Sequence, residues 1–160
     1  FHSLLPPPER SLPHIHIVFT NQLLGTWEES DRRYHARVNI LGFLHLISTT
    51  GVVEAPAKPR EYYFLKQQYA RLGMEDAPAA LESQFRDRTL EPDDPRLTGV
   101  MKGYVLQSLF YHLLGEAFCE DRSCKLFNAH WQQEVITAQL DSPYELCPRH
   151  AEQLRGLARG

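Results

Sequence analysis

Cys119-Glu-Asp-Arg-Ser-Cys124, followed after 22 residues by Cys147-Pro-Arg-His150, is the stretch on which the reading of this chain turns. All three cysteines of the 160 residues fall inside it. Two short-spaced pairs joined by a longer loop are the layout of a structural zinc site. Each pair forms a tight knuckle supplying two ligands, and the loop lets the knuckles meet at one tetrahedral ion. The predicted ligands are therefore Cys119, Cys124, Cys147 and His150, holding one Zn2+. His130 competes for the fourth place, but the Cys-x-x-His spacing favours His150. The alternatives are three buried free cysteines, a common state for that residue, and a redox role. Because site assembly and folding are coupled, a zinc ion here is expected to order the C-terminal third.

Working outward from the cluster, residues 95–114 are apolar almost all round, which predicts a central, buried helix. The acidic pair Asp93-Asp94 before Pro95 suits its start. Shorter helices are expected at 129–140 and 148–157. Pro56 and Pro59 open another over 60–72, with Gly73 as its stop, and a further short one is expected at 77–85. Residues 14–54 read as β. In 14–20 the residues Ile15, Ile17 and Phe19 share a face; in 34–40 so do Tyr34, Ala36, Val38 and Ile40. The apolar run 43–49 suits a buried strand, and Gly51 turns the chain into Val52-Val53. Residues 1–13, with three consecutive prolines, read as an extended arm. The expected fold is α/β in the broad α+β sense. It is a small mixed sheet with an antiparallel edge, a long central helix packed on it, and a zinc-bound helical lobe. One domain is expected over 1–160: the arm, a sheet-plus-helix subdomain at 14–118 and the zinc lobe at 119–160.

Composition narrows the function classes. With 17 Lys+Arg against 20 Asp+Glu, the net charge is −3, which gives no electrostatic footprint for nucleic acid. A 42% hydrophobic, 23% charged chain is not of disordered composition. No apolar run approaches the ~20 residues of a membrane span. Three cysteines cannot all pair within one chain, so a secreted disulfide framework is not expected and a reducing cytosol is. The start, Phe1-His-Ser, has no initiator Met and no signal-peptide core, and reads as processed or trimmed.

The residues leading into the first cysteine are Ser108-Leu-Phe-Tyr-His112-Leu-Leu-Gly115-Glu-Ala-Phe118-Cys119. They resemble the archaemetzincins, a branch of the metzincin zinc peptidases. That family's signature runs His-Glu-x-x-His-x-x-Gly-x-x-His-Cys, with a second Cys and a distal Cys-x-x-Cys beyond it. Laid without gaps, its second zinc histidine falls on His112, its turn glycine on Gly115, and its cysteines on Cys119 and Cys124. The distal pair falls on Cys147 and His150, one Cys exchanged for His. Ile40 to Phe43 and Leu46 to Glu54 are similar to the family's strand and edge-strand region, so the resemblance spans Tyr34 to His150. The segment is also similar to an uncharacterised archaeal metallopeptidase-like family. The resemblance implies a metzincin-like fold with a backing helix between the first two strands, where this sequence has about a dozen loop-like residues between 20 and 34.

The departures bear on the chemistry. The family's first zinc histidine is Ser108 here, its general-base glutamate is Leu109, and its third zinc histidine is Phe118. A catalytic zinc needs three protein ligands and an open water position, and peptide hydrolysis needs a carboxylate in reach of that water. One histidine cannot hold the ion, and leucine cannot accept a proton. A rebuilt site is expected to draw on His112 and Glu116, with Glu54 as a further carboxylate. The strand histidines His14 and His16, and His35 and His45 on neighbouring strands, are its other candidates. Singly, His112 reads as a hydrogen-bonded core histidine and His14/His16 as a solvated face.

Three readings follow. One is a non-catalytic, zinc-stabilised pseudopeptidase that holds a peptide or protein partner in the old cleft. The others are an active zinc metallopeptidase with a non-standard site, and a zinc-ribbon-like binding module. Arg33, His35 and Arg37, with Arg60 nearby, read either as an anion site or as the polar face of a half-buried strand. Residues 27–33 read as an exposed loop, and Phe127 and Trp131 as packing around a satellite core. Residues 54–61 read as a connector or as an extended segment over the cleft.

Overall fold

The computed structural model describes residue 3, residues 5–74 and residues 77–158. It is a mixed α+β protein. The main sheet has β5 (Leu44–Ser48) at its centre, with β1 (His16–Thr20) parallel on one side and β4 (Asn39–Ile40) antiparallel on the other. The apolar run around β5 is buried because it is flanked on both sides, which is where a strand without clean alternation belongs. On β5, His45 and Ile47 are fully buried on one face while Leu44 and Leu46 are half-buried on the other.

The second sheet is a hairpin, β2 (Leu24–Glu28) with β3 (Arg33–Arg37), turned through Arg32 at φ 53. It corrects three expectations. Trp27 and Glu28 lie in a strand rather than a loop, with Trp27 edge-on to Tyr34 across the ladder at 5.1 Å. The run 34–40 is not one strand: it breaks at Val38, so β3 stays in the hairpin while β4 joins the main sheet. Where the resemblance implies a backing helix, the chain forms this hairpin. Phe19 and Tyr34 are exposed, although Ile17, on the same face of β1 as Phe19, packs against the core.

Gly51 marks no turn into a strand. Residues Thr49–Glu54 form a short helix, α1, despite two β-branched pairs. Ser48 caps it by accepting from the Gly51 N–H at 2.8 Å. The hydroxyls of Ser48, Thr49 and Thr50 donate to the carbonyls of Gln22, Thr20 and Asn21, tying α1 to the end of β1. Gly51 itself is required by proximity: a Cβ there would strike the Arg37 carbonyl and the Val38 Cα.

The remaining helices lie close to their predicted positions: α2 (Arg60–Arg71), α3 (Ala77–Phe85), α4 (Leu97–Leu114), α5 (Gln132–Gln139) and α6 (Pro148–Leu157). The arm keeps only a single turn at Pro7–Glu9; part of it lies outside the described residues. Asp94 accepts from the Arg96 N–H just before α4 and is ion-paired with the Arg96 guanidinium at 2.6 Å, holding its carboxyl below the usual range.

α4 joins two cores. Val100 and Tyr104 pack with Ile47, Val52, Leu90, Val135 and Ile136 under the main sheet. Two turns on, Phe110 packs with Cys119, Cys124, Leu126 and Cys147. No helix among the described residues is long and apolar enough to cross a membrane.

Candidate metal centre

α4 ends at Gly115, whose φ of 72 only glycine adopts without strain; its N–H donates to the Tyr111 carbonyl. The chain then reverses into the first knuckle. There the Cys119 N–H donates to the Leu126 carbonyl, the Asp121 N–H reaches the Cys119 sulfur at 3.3 Å, and the Cys124 N–H closes a turn on the Asp121 carbonyl. The Asp121 carboxylate is braced by the Ser123 N–H and by the Tyr144 hydroxyl at 2.6 Å, which hold it below the usual carboxylate range. The second knuckle is the start of α6: Cys147 is its N-cap residue, Pro148 opens the first turn, and His150 follows on that turn. Lys125 N–H to the Glu145 carbonyl links the two knuckles at 2.9 Å.

Cys119, Cys124, Cys147 and His150 are all buried, and their ligand atoms lie within 4.8 Å of one another. The Cys119 and Cys147 sulfurs are 3.9 Å apart; His150 Nδ1 is 3.7 Å from Cys124 Sγ and 3.1 Å from Cys147 Sγ. A tetrahedral ion with metal–sulfur bonds of about 2.3 Å and a metal–nitrogen bond of about 2.0 Å needs sulfurs about 3.8 Å apart and sulfur–nitrogen distances of about 3.6 Å. The Cys119–Cys147 and Cys124–His150 separations match these values and the Cys147–His150 separation is shorter, so the cluster is of a size to hold one tetrahedral ion.

The electrostatics also fit. Burial pushes the Cys124 thiol up to about 11, so it carries its proton at neutral pH and releases it when a metal takes the thiolate. At Cys147 burial acts in the same direction, but the His150 and Arg149 N–H groups at the start of α6, with the other two cysteines, hold the thiol below its usual range. Burial, then Arg149, holds the His150 imidazole low and so keeps it neutral as a ligand must be. Binding through Nδ1 requires the ring proton on Nε2, from which exposed Arg149, itself a donor, must turn away from its present 3.0 Å.

His130 is not among these residues. It is exposed and lies on the wall of a separate cleft of about 610 Å³. One side of that cleft is the chain from Ala36 to Leu41, which includes β4, the edge strand of the main sheet. Tyr104, Gln107 and Tyr111 of α4, with Phe118 beyond it, form the floor, and residues 127–130 the far wall. Asn39 donates to Gln107 at 2.9 Å across the floor, joining β4 to α4. Ala55 and Pro56 also border the cleft, while Pro59 to Glu61 of the same segment line a different hollow; Phe127 lines the cleft too, rather than a closed satellite core.

The other candidates are scattered. His112 does not line the cleft; its ring turns towards β5 and meets His45 edge-on at 6.0 Å. His45 is fully buried with neither ring nitrogen hydrogen-bonded. Ser108 is fully buried and donates to the Tyr104 carbonyl. Glu116 is exposed, and its charge is felt at His150; Glu54 is also exposed. His35 is not on a strand neighbouring β5: it lies in the hairpin, 2.8 Å from Asp31. His14 contacts the Ser11 hydroxyl, and His16 the Glu9 carbonyl. Arg33 is paired with Asp31 and Arg37 with the Thr26 hydroxyl, so the hairpin arginines carry local partners, while Arg60 lies elsewhere, over Trp131. The sequence reading missed Gln107, whose only signal was one amide in an apolar helix, and the isolation of His45 in an apolar strand.

A mixed α+β protein with a buried three-cysteine, one-histidine cluster able to bind a metal is thus the class these observations define. Residues 1–157 match the family described as "Probable metallopeptidase family (DUF6775)", and the chain belongs to that family. No curated protein and no solved structure matches it.

Proposed function

We propose that the chain is a zinc-stabilised, archaemetzincin-like pseudopeptidase that holds an extended peptide segment in the cleft between β4 and α4. The observation that carries this reading is the end of α4. Of the positions that a metzincin uses for zinc and base, Ser108 is buried against its own helix, Leu109 offers no donor or acceptor, and Phe118 presents a half-exposed ring to the cleft. His112 alone remains, turned away from the cleft. Zinc is the ion that three thiolates and an imidazole in a closed tetrahedral site favour, and there it supplies a cross-link rather than a reactive water. Cys119, Cys124, Cys147 and His150 would hold it.

Peptide binding rests on the free side of β4, whose ladder is made with β5 alone. An extended segment can add to such an edge through main-chain hydrogen bonds. Tyr111, Phe118 and Phe127 supply apolar and aromatic surface for alternate side chains. The test uses the zinc-loaded protein against a broad peptide library. Saturable binding weakened by Phe118→Ala, without cleavage and with one zinc per chain, is expected. Cleavage abolished by His112→Ala would refute it.

A second reading, an active metallopeptidase with a rebuilt site, is favoured by the unpartnered ring of His45 beside His112. It requires a second ion per chain, which metal analysis on protein purified without chelator counts directly.

A further inference from the structure

Next along the chain from the cleft wall, Trp131 lines a second hollow of about 480 Å³. Three guanidiniums reach it from distant parts of the sequence: Arg60 at the start of α2, Arg88 in the turn after α3, and Arg122 in the first cysteine knuckle. Each lies over an aromatic ring, Arg60 over Trp131 at 5.6 Å, Arg88 over Phe85 at 5.5 Å and Arg122 over Phe127 at 6.0 Å. Stacking fixes the face of a guanidinium and leaves its edge, with the N–H donors, free to turn to a ligand.

Those donors are poorly used. The ion pairs Arg88–Glu61 and Arg122–Glu134 are long, at 3.5 and 3.7 Å, and Arg60 has no ion pair among the described residues. Arg88 donates from one terminal nitrogen to Gln133 at 3.2 Å, but its Nε is buried with no partner.

The backbone adds to the same field. Ala57 and Trp131 form a parallel bridge, with the Ala57 N–H donating to the His130 carbonyl and the Gln132 N–H to the Ala57 carbonyl. α2 and α5 therefore start side by side, and the first turns of both line the hollow. Glu134 already serves the α5 end by accepting from the His130 and Trp131 N–H groups. No side chain caps α2. Helix N-termini with free N–H groups favour anions.

We infer that this hollow is a binding site for a phosphoryl group, a phosphate monoester or free phosphate, held by Arg60, Arg88 and Arg122 at the start of α2. A dianion with three acceptor oxygens matches three guanidinium forks, whereas a single carboxylate satisfies at most one or two. The room around it admits a small substituent on the phosphate. Nothing in this assignment depends on whether the cleft binds peptides.

The experiment is calorimetric titration of the metal-loaded protein at fixed ionic strength with inorganic phosphate, O-phosphoserine and acetate. Saturable one-to-one binding of phosphate or phosphoserine, with acetate at least tenfold weaker, is expected. Tighter binding of phosphoserine than of phosphate would identify a monoester as the ligand, and the reverse order free phosphate. Arg88→Gln and Arg122→Gln should each weaken binding about tenfold or more, as loss of a charge-assisted hydrogen bond does. Arg122 is 77% exposed, so its substitution leaves the fold intact and keeps the test valid if Arg88→Gln is unstable. Absence of saturable binding, equal binding of acetate, or unchanged affinity in folded Arg122→Gln would overturn the assignment.

Discussion

Substituting Cys124 by Ser tests whether an ion holds the C-terminal lobe together. Cys124 is fully exposed to its neighbours and not at all to solvent: Phe110, Leu126 and the other two cysteines enclose it. Structural zinc contributes about 10–16 kcal/mol of apparent binding free energy, so one ligand of four represents roughly 3 kcal/mol or more. The serine hydroxyl, buried without a metal, adds about 1–3 kcal/mol of unsatisfied polar burial. A total of about 4–6 kcal/mol is a large share of the 5–15 kcal/mol typical of a domain. At about 2–4 °C per kcal/mol for a chain of this size, Tm should fall by about 10–20 °C. The assay is zinc content by elemental analysis alongside thermal unfolding of the same preparations. Zinc should drop from about one per chain to well below it, and chelation of the wild type should reproduce the loss. His130→Ala should change neither quantity, because His130 is on the cleft wall. Unchanged Tm and metal content in Cys124→Ser, or wild-type Tm unaffected by removal of the ion, would refute the reasoning.

Other perturbations probe the scaffold that positions the site. Burial, then the neighbouring His112, holds the His45 imidazole below its ordinary value of 6.5. The unfolded chain therefore takes up that proton first, so the stabilisation is complete above pH ~6.5 and is lost as pH falls below it; denaturant titrations from pH 7.5 to 5 should show a decline that His45→Phe lessens. Gly51→Ala forces a Cβ against the Arg37 carbonyl and should cost about 2–4 kcal/mol, read as a lower urea midpoint with unchanged slope. Gln132 is fully buried, donates to the Val53 carbonyl and accepts from the Leu90 N–H. Gln132→Ala leaves both backbone groups unpaired and should cost about 2–4 kcal/mol by the same measurement, whereas Gln133→Ala on the exposed side should cost under about 0.5 kcal/mol.

What the sequence determined by itself is local or repeats at short range. The cysteine and histidine cluster able to bind a metal is legible because such a cluster demands particular atoms at tight spacing, whatever surrounds them. α6 runs from Pro148 to Leu157 as proline at a first turn predicts, α2 follows from apolar residues near helical spacing, and the body of α4 from a run apolar almost all round. β5 is legible as an apolar run too short for a helix that long.

Tertiary structure decided the rest, for identifiable reasons. α1 forms over Thr49–Glu54 against weak intrinsic propensity because Ser48 caps it and three hydroxyls anchor it to the end of β1. The strand around Leu24–Glu28 exists because β3 pairs with it; its alternation alone is too weak to announce it. The break at Val38, which sends Asn39 and Ile40 to the main sheet, creates the cleft's edge strand, and no residue type marks it. Arg60, Arg88 and Arg122 are ordinary surface arginines in the sequence, 28 and 34 residues apart. They converge only because Ala57 bridges Trp131 and lays two helix starts side by side. Spacing along the chain marks a cluster whose members come in short-spaced pairs, whereas a site assembled from single residues of separate segments is specified by packing, which depends on every contact at once.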